Sequence, residues 1–423
     1  MLEKEPFLKI LLVNQCANNK GDRTVLLAVL RELSCNGATK VWVSTDGPGL
    51  ERISDYRMGM DISFIPSGAR FINNQSKIRL FQRAKSLCNR ILLKLNFAKV
   101  RKFLIGKEKI SALPCQKDFR KALQEADVVI STGGHHITSL LVPDVQSAQM
   151  YDICLAVAAR KRISLWSQTI GPMKFANKCN SELVKEALHG AESIYVRDDP
   201  SWAEVIRMGV PAERISQTPD SVFALNNIFP EYTKPSARGK MVGISVYHVM
   251  KRTPEAQRNY INSLAILVDH IVELGYTPYF LPMEAKGFKD DRHLIAMIRA
   301  TAKYGDKCIV QDEDLEPREH IVRVSECRLF VGHKTHSVIM ALTVGTPLVA
   351  ISYHSKFEEI MKHYGQSDYC ISDTVITGEA LIRLFAAVDA DCDRLGECIF
   401  ETSRQLAQKV QCDFKKMVNG LNG

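Results

Sequence analysis

The chain has 423 residues, which is too long for one typical hydrophobic core and fits two domains of ordinary size. Its 46% hydrophobic and 24% charged residues are typical of a soluble globular protein and exclude a disordered one. The twelve cysteines form no CxxC pair and no Cys/His array with zinc spacing. No apolar run approaches the roughly twenty residues that cross a bilayer, and the charged start does not resemble a signal peptide. We therefore expect reduced thiols and a cytoplasmic protein.

The formal net charge of +9 is concentrated in one segment. Between Lys77 and Lys109, about eleven Lys and Arg residues stand against one acid, Glu108, so the rest of the chain is near neutral. Apolar residues at helical spacing interleave with these cations. Residues 75–109 are therefore interpreted either as a basic helix in peripheral contact with the inner face of a membrane, through 77–109, or as a solvated helix or loop. We expect no nucleic-acid partner.

The first elements in the chain are a strand, a polar turn and a helix. Residues 9–14 form a compact apolar strand, and Asp22 can cap a helix over 24–33 whose apolar residues share one face. On the residues alone, Asp22 is a helix cap.

Two further strands end in residues that can serve a binding site. A buried strand runs into Gly133 and Gly134, followed by His135, and paired glycines after a strand let the backbone approach another group closely. A second strand ends at Arg197. Such positions lie at the sheet edge where α/β proteins bind ligands, and Arg197 would face the same crevice as the glycines. An exposed surface arginine is the alternative.

A linker at 229–239, rich in proline and polar residues, separates two series of alternating strands and helices. We predict a Rossmann-like domain over 1–228, a second over 240–395 and a C-terminal helix over 396–423. The adjacent carboxylates Asp290 and Asp291 lack further spaced ligands and are interpreted as a helix start, not a metal site.

The most informative stretch is 328–352, which predicts a strand, a helix and a strand of a parallel βαβ unit. His333, Lys334, Thr335 and His336 lie between the first strand and its helix, outside the strand's carboxyl end. Helix N–H groups and the helix dipole favour an anion there, Lys334 adds a charge, and a histidine can act as acid or base. The alternative is that both histidines are solvated loop residues.

Several of these motifs resemble the polysaccharide pyruvyl transferase family. The resemblance spans about residues 9 to 390. The matching segments are 19–22, 133–134, 168–172, Arg197, 220–225 and 332–353. In one departure, Lys334 stands where the family has arginine, and lysine cannot make the planar two-point clamp that arginine makes on phosphate or carboxylate.

The resemblance implies an α/β fold with two doubly wound Rossmann-like domains facing a cleft, which is GT-B-like. It implies transfer of the pyruvyl group of phosphoenolpyruvate onto two hydroxyls of a sugar in a polysaccharide or lipid-linked glycan. The product is a cyclic ketal and phosphate is released. The acceptor is expected on the first domain and phosphoenolpyruvate on the second, without a cofactor or a metal.

The resemblance also implies roles for individual residues. His336 is expected to be the acid that protonates the enol, and Asp22 to orient it or to accept a hydroxyl proton. The residues expected to bind phosphoenolpyruvate are Arg197, Lys334, Thr335 and Ser337. The residues expected on the acceptor side are Gly133, Gly134, His135 and Gln168.

Two other functions are compatible with the same architecture. A nucleotide-sugar glycosyltransferase or epimerase would carry a glutamate in its donor-site helix, and residues 337–344 contain no acid. A catalytically silent sugar-binding member is the second, supported by the departure at Lys334.

Overall fold

The computed structural model describes residues 8–16, 19–72, 79–106, 113–229, 231–248, 253–285, 290–353 and 355–422. The chain divides into two compact units. Unit 1 comprises 1–17, 25–221 and 409–423, and unit 2 comprises 18–24 and 222–408. The sequence prediction placed the boundaries at 228, 240 and 396. The difference arises because two continuous helices each contribute residues to both units. A change in amino-acid composition reveals a linker, but it does not reveal which unit the end of a helix packs against.

Unit 1 contains a seven-stranded sheet. Its strands are β1 (Leu8–Gln15), β2 (Ala38–Thr45), β3 (Asp61–Pro66), β4 (Val128–Ser131), β5 (Arg162–Gln168), β6 (Ser193–Val196) and β7 (Ile215–Gln217). The helices of this part of the chain are α1 (Lys20–Cys35), α2 (Arg79–Leu104), α3 (Lys117–Glu125), α4 (Ala148–Ala158), α5 (Lys178–His189) and α6 (Asp199–Arg207). The first turn of α1 belongs to unit 2.

Unit 2 contains a six-stranded sheet. Its strands are β8 (Met241–Ile244), β9 (Thr277–Phe280), β10 (Ile309–Val310), β11 (Leu329–Gly332), β12 (Leu348–Ser352) and β13 (Cys370–Ser372). The helices are α7 (Pro254–Glu273), α8 (Asp291–Thr301), α9 (Pro317–Glu326), α10 (Thr335–Thr343), α11 (Ser355–His363), α12 (Gly378–Ala390) and α13 (Cys392–Asn422). The last residues of α13, from Lys409, belong to unit 1.

Both sheets are parallel and doubly wound. The strand orders are β3-β2-β1-β4-β5-β6-β7 and β10-β9-β8-β11-β12-β13. Each order reverses once, between β1 and β4 in unit 1 and between β8 and β11 in unit 2, and open α/β sheets bind ligands outside the carboxyl ends of the strands at such a reversal. The predicted fold class, two Rossmann-like α/β sheets, is confirmed. The glycine pair follows β4 and the histidine motif follows β11, so both lie at these reversals.

The local signals at the helix ends predict some helix boundaries and miss others. Helix α1 begins at Lys20, earlier than predicted, because the side-chain oxygen of Asn19 accepts the N–H of Gly21 at 2.7 Å. Asn19 is therefore the cap, and the assignment of Asp22 as the cap is wrong, since Asp22 lies within the first turn. Helix α10 ends at Thr343, and Gly345, two residues later, has the left-handed φ of 67° that is typical of a helix C-terminus.

Within the basic segment, residues 79–104 form helix α2, which excludes the loop interpretation for that part. Residues 75–78 and 107–109 lie outside the described residues. In the part of the chain that the structure describes, no helix is long and apolar enough to cross a membrane.

Helix α4 brings a carboxyl group into the core of unit 1. Asp152 is 1% exposed, and the hydroxyls of Ser67 and Ser44 donate to its Oδ2 at 2.9 and 3.3 Å. Burial raises the pKa of Asp152 to about 7, against the lowering effect of these hydrogen bonds. The folded state therefore holds a proton on Asp152 that the unfolded chain has already lost above pH ~4.

We predict that Asp152 makes the protein less stable as pH rises from about 4 to 7. Because the pKa of Asp152 is raised in the folded state, Asp152 contributes its full stabilisation below its pKa in the unfolded chain. This stabilisation is lost as pH rises through its pKa in the folded state. The loss is on the order of 4 kcal/mol. Urea unfolding of wild type and Asp152→Asn at a series of pH values measures it. The variant should show a shallower decline, and parallel curves would contradict the prediction.

Candidate active site

The start of α10 lies at the strand-order reversal of unit 2. Lys334 is its N-cap, and the Ser337 hydroxyl closes the turn by donating to the Lys334 carbonyl at 2.7 Å and accepting the Lys334 N–H at 3.3 Å. The same hydroxyl lies 2.6 Å from that of Ser245, which follows β8. Ser337 is fully buried. Its predicted contact with a donor stays a prediction, and its hydroxyl already holds β8, β11 and α10 together.

The two histidines of this motif have different surroundings. His333 is completely buried, and its Nδ1 lies 2.7 Å from the Tyr260 hydroxyl. The solvated-loop interpretation is therefore wrong for His333, which is a core residue. His336 is half-buried on the first turn of α10. Thr335, beside it, has its hydroxyl 3.4 Å from that of Tyr353.

Lys334 is held by two carboxylates. Its Nζ lies 2.9 Å from both oxygens of Asp291 and 3.3 Å from Glu284. Lys334 is 7% exposed and Asp291 1% exposed, so this is a buried ion pair. Burial raises the pKa of Asp291, and Lys334 acts in the opposite direction. The positive charge of Lys334, which the sequence analysis expected to bind a donor phosphate, is thus already compensated by carboxylates of unit 2.

The carboxylate of Asp291 has further hydrogen bonds. Its Oδ2 accepts the backbone N–H groups of Met283 and Glu284, both at 2.9 Å. Asp290 caps α8 by accepting the N–H of Arg292 at 3.0 Å, which confirms the predicted helix start. Among the described residues, no group of three or more His, Cys, Asp or Glu side chains could hold a metal ion.

The first turn of α1, which belongs to unit 2, contributes a second set of buried charges. Lys20 is 2% exposed, and its Nζ lies 2.9 Å from Asp314, which Arg23 also contacts at 3.2 Å. Burial lowers the pKa of Lys20 despite Asp314. His320, on α9, is buried nearby, and burial with the charge of Lys20 lowers its pKa to about 3. His320 is therefore neutral at physiological pH.

The same turn comes into close contact with His336. A methyl group on Gly21 would lie 2.4 Å from His336 Nδ1, far inside van der Waals contact. Only glycine leaves room for the imidazole there. Asp22 is the next residue of this turn, so the structure places the two residues predicted to be catalytic on neighbouring elements of unit 2.

In unit 1, Gln168 at the end of β5 is hydrogen-bonded to the end of β4, which Asn14 of β1 also contacts. Its side-chain nitrogen donates to the carbonyls of Ser131 and Thr132 at 3.0 and 2.7 Å, and the Asn14 amide donates to the Ser131 hydroxyl at 2.6 Å. The side-chain oxygens of Asn14 and Gln168 are buried and have no hydrogen-bond partner among the described residues. Buried acceptors of this kind require water or a ligand group to satisfy them.

Arg197 follows β6 and is anchored at two of its three nitrogens. Nε donates to the Ser167 hydroxyl at 3.0 Å, and Nη1 lies 2.7 Å from Asp220, which is buried. Nη2 is buried with no hydrogen-bond partner in the described part of the chain, and a methyl group on Gly133 would lie 2.2 Å from it. The side chain is 13% exposed, so the alternative of an exposed surface arginine is wrong.

The loop after β4 makes close contacts with other residues of unit 1. A methyl group on Gly134 would lie 2.1 Å from His136 Nε2, and His135 Nε2 lies 2.7 Å from the Gly171 carbonyl. The predicted close approach of the glycine pair exists, and its partners include the side chains of Arg197 and His136.

The predicted site residues thus form one group in each unit. Those in unit 1 are Gly133, Gly134, His135, Gln168 and Arg197, and those in unit 2 are Asp22, Lys334, Thr335, His336 and Ser337. Sequence reasoning missed the partners that hold them, which are Asn14, Gly21, Asp220, Glu284 and Asp291. For Gly21 and Asp220 the signal was present, since they stand inside the recognised 19–22 and 220–225 motifs.

We predict that Lys334→Ala destabilises the protein by about 3–5 kcal/mol, because it leaves Asp291 buried without its cation. Combining Lys334→Met with Asp291→Asn should cost less than Lys334→Ala alone. Lys307→Ala, at a lysine whose side chain is 64% exposed, is the control and should change stability by no more than about 0.5 kcal/mol. The measurement is urea unfolding followed by circular dichroism. A loss below about 1 kcal/mol for Lys334→Ala would show that the pair is not effectively buried.

Comparison with known proteins places this arrangement in a family. The chain is 22% identical to the amylovoran biosynthesis protein AmsJ of Erwinia amylovora, over 97% of this chain and all of that one. It resembles the structure of Anabaena HepE in complex with UDP-glucose, with a TM-score of 0.57, 12% identity and coverage of 97% and 99% of the two chains. It also resembles a putative UDP-N-acetylglucosamine 2-epimerase of Listeria monocytogenes, with a TM-score of 0.56, 10% identity and coverage of 93% and 90%.

At these identities the structural likeness shows the fold alone, and the neighbours are GT-B-fold glycosyltransferases and epimerases. The family model for polysaccharide pyruvyl transferase matches residues 19–355. This match begins at the cap of α1 and ends just beyond β12, so it includes every predicted site residue. The chain belongs to the polysaccharide pyruvyl transferase family, whose members are transferases.

Proposed function

We propose that this protein transfers the pyruvyl group of phosphoenolpyruvate onto two hydroxyls of a sugar in a glycan, forming a cyclic ketal and releasing phosphate. The observation that carries the proposal is the contact in unit 2 between His336, on the first turn of α10, and Gly21, beside Asp22. An acid–base residue stands there at a helix N-terminus, which binds anions. Family membership supports the same general reaction.

The donor's phosphate is bound at the start of α10. The first N–H groups of a helix have no partner within the helix, and the helix dipole favours negative charge beside them. Lys334 fixes the turn before α10 through Asp291 and Glu284, so it attracts a phosphate less than an uncompensated lysine would. Arg197, in unit 1, remains a proposed anion ligand because its Nη2 is unused among the described residues.

The reaction requires one acid and one base. Protonated His336 donates to the methylene carbon of the enol, and the resulting cationic carbon is attacked by a sugar hydroxyl. That hydroxyl releases a proton, which Asp22 accepts or directs back to His336. Phosphate then leaves from the same carbon, a second hydroxyl takes its place, and the proton of the second hydroxyl leaves with phosphate. The two new C–O bonds form the ketal.

One observation bears on each alternative. Helix α10, with the sequence THSVIMALT, contains no acidic residue that could hold the ribose of a nucleotide sugar. The compensated charge of Lys334 is what a catalytically silent member would also show. Incubation with phosphoenolpyruvate and candidate lipid-linked or nucleotide sugars, with detection of phosphate and of the ketal by mass spectrometry, separates these functions. Phosphate without a ketal, or UDP release from a UDP-sugar, would contradict the proposal.

We predict that His336→Ala lowers turnover by roughly 10²–10⁴ while the protein stays folded, the usual effect of losing one acid–base group. His293→Ala is the matched control, since His293 is exposed on α8 and should leave turnover unchanged. Phosphate release under saturating phosphoenolpyruvate is the measurement. Near-normal turnover of folded His336→Ala would remove His336 from the role of acid.

We also predict that Gly21→Ala lowers turnover by about tenfold or more, because the added methyl displaces His336 and a small misplacement of a catalytic group is costly. Alanine has a higher helix propensity than glycine, so the substitution should not lower the stability of the protein through helix propensity. Gly420→Ala is the control, because Gly420 is also helical and has nothing within 4 Å of an added methyl. Equal turnover of both variants would show that the contact at Gly21 does not position His336.

A further inference from the structure

Helix α2 carries an apolar stripe that is exposed in the described part of the chain. Leu87, Ile91 and Leu95 are 57%, 51% and 57% exposed. They are spaced by four residues and therefore lie along one face of the helix. The opposite face is anchored in the core of unit 1 by Phe97 and Val100, which are 2% and 0% exposed. The helix is thus held by one side and presents aliphatic side chains on the other.

Cations surround this stripe and no acid interrupts it. The 26 residues of α2 include no Asp or Glu. Arg90, Lys94, Lys99 and Lys102 are exposed. At about 100° per residue, Lys94 and Lys102 fall within about 60° of Ile91, and Arg90 and Lys99 lie about 80–100° to either side. The exposed face therefore has an aliphatic centre with positive charge around it.

We propose that this face of α2 docks on the surface of an anionic lipid bilayer, with the helix lying in the plane of the interface. The aliphatic residues enter the boundary between headgroups and acyl chains, and the lysines contact the anionic headgroups. A surface that binds single-stranded nucleic acid would instead place cations along the path of the nucleic-acid backbone and aromatic rings where bases can stack. The centre of the exposed face of α2 is aliphatic. The site is separate from the residues assigned to the pyruvyl transfer.

The test is flotation of the full chain with two kinds of vesicle, phosphatidylcholine alone and an equimolar mixture with phosphatidylglycerol. Wild type should float with the anionic vesicles and not with the neutral ones. Binding should fall as salt is raised, because exposed charges are screened. Equal flotation with both kinds, or with neither, would overturn the proposal.

Three triple variants separate the contributions. The charge variant combines Lys94→Glu, Lys99→Glu and Lys102→Glu. The apolar variant combines Leu87→Ser, Ile91→Ser and Leu95→Ser. The control changes three exposed lysines elsewhere in unit 1, by Lys117→Glu, Lys185→Glu and Lys415→Glu. The first two should each lose at least about tenfold in vesicle affinity, and the control much less.

Circular dichroism checks the fold of each variant, and phosphate release on a soluble acceptor should be unchanged, so failure of docking is distinguishable from failure of the proposed function. Leu95→Trp gives a second readout in the otherwise unaltered chain, because its fluorescence should shift to the blue with anionic vesicles. An apolar variant that binds as wild type does, or a wild-type dimer in sedimentation that the apolar variant dissociates, would overturn the proposal.

Discussion

The buried ion pair between Lys334 and Asp291 is the interaction on which the candidate site depends. It joins the start of α8 to the residue that caps α10, and Asp291 also fixes the chain after β9 through two backbone N–H groups. Removing a charge from such a pair costs far more than the pair contributes over an apolar substitute. Lys334 and Asp291 therefore each need the other for stability, independently of any role in substrate binding.

Compensation of charge is a common property of the two groups of site residues. Arg197 is matched by Asp220 in unit 1, and in unit 2 Lys334 is matched by Asp291 and Glu284. Each cation is therefore oriented before any ligand arrives, and a fixed donor loses little freedom when it binds. The attraction for an anion then rests on direction and hydrogen bonding more than on net charge.

The sequence predicted the fold and the strand ends and helix starts at which the candidate residues lie, because these are local signals. The reversal of strand order placed the glycine pair and the histidine motif at ligand-binding edges, as expected for parallel sheets. The partners could not be predicted. Asp291 and Lys334 are 43 residues apart, and no local pattern pairs them. Asp22 was assigned as the cap because Asp and Asn are equally good caps, and only the structure shows that Asn19 serves.

The raised pKa of Asp291 has a consequence for ligand binding. Further negative charge near that carboxyl group would raise its pKa again. A multiply charged anion at the start of α10 would also compete with Asp291 for Lys334 Nζ. Anion binding and the ion pair between Lys334 and Asp291 are therefore coupled, and each weakens the other.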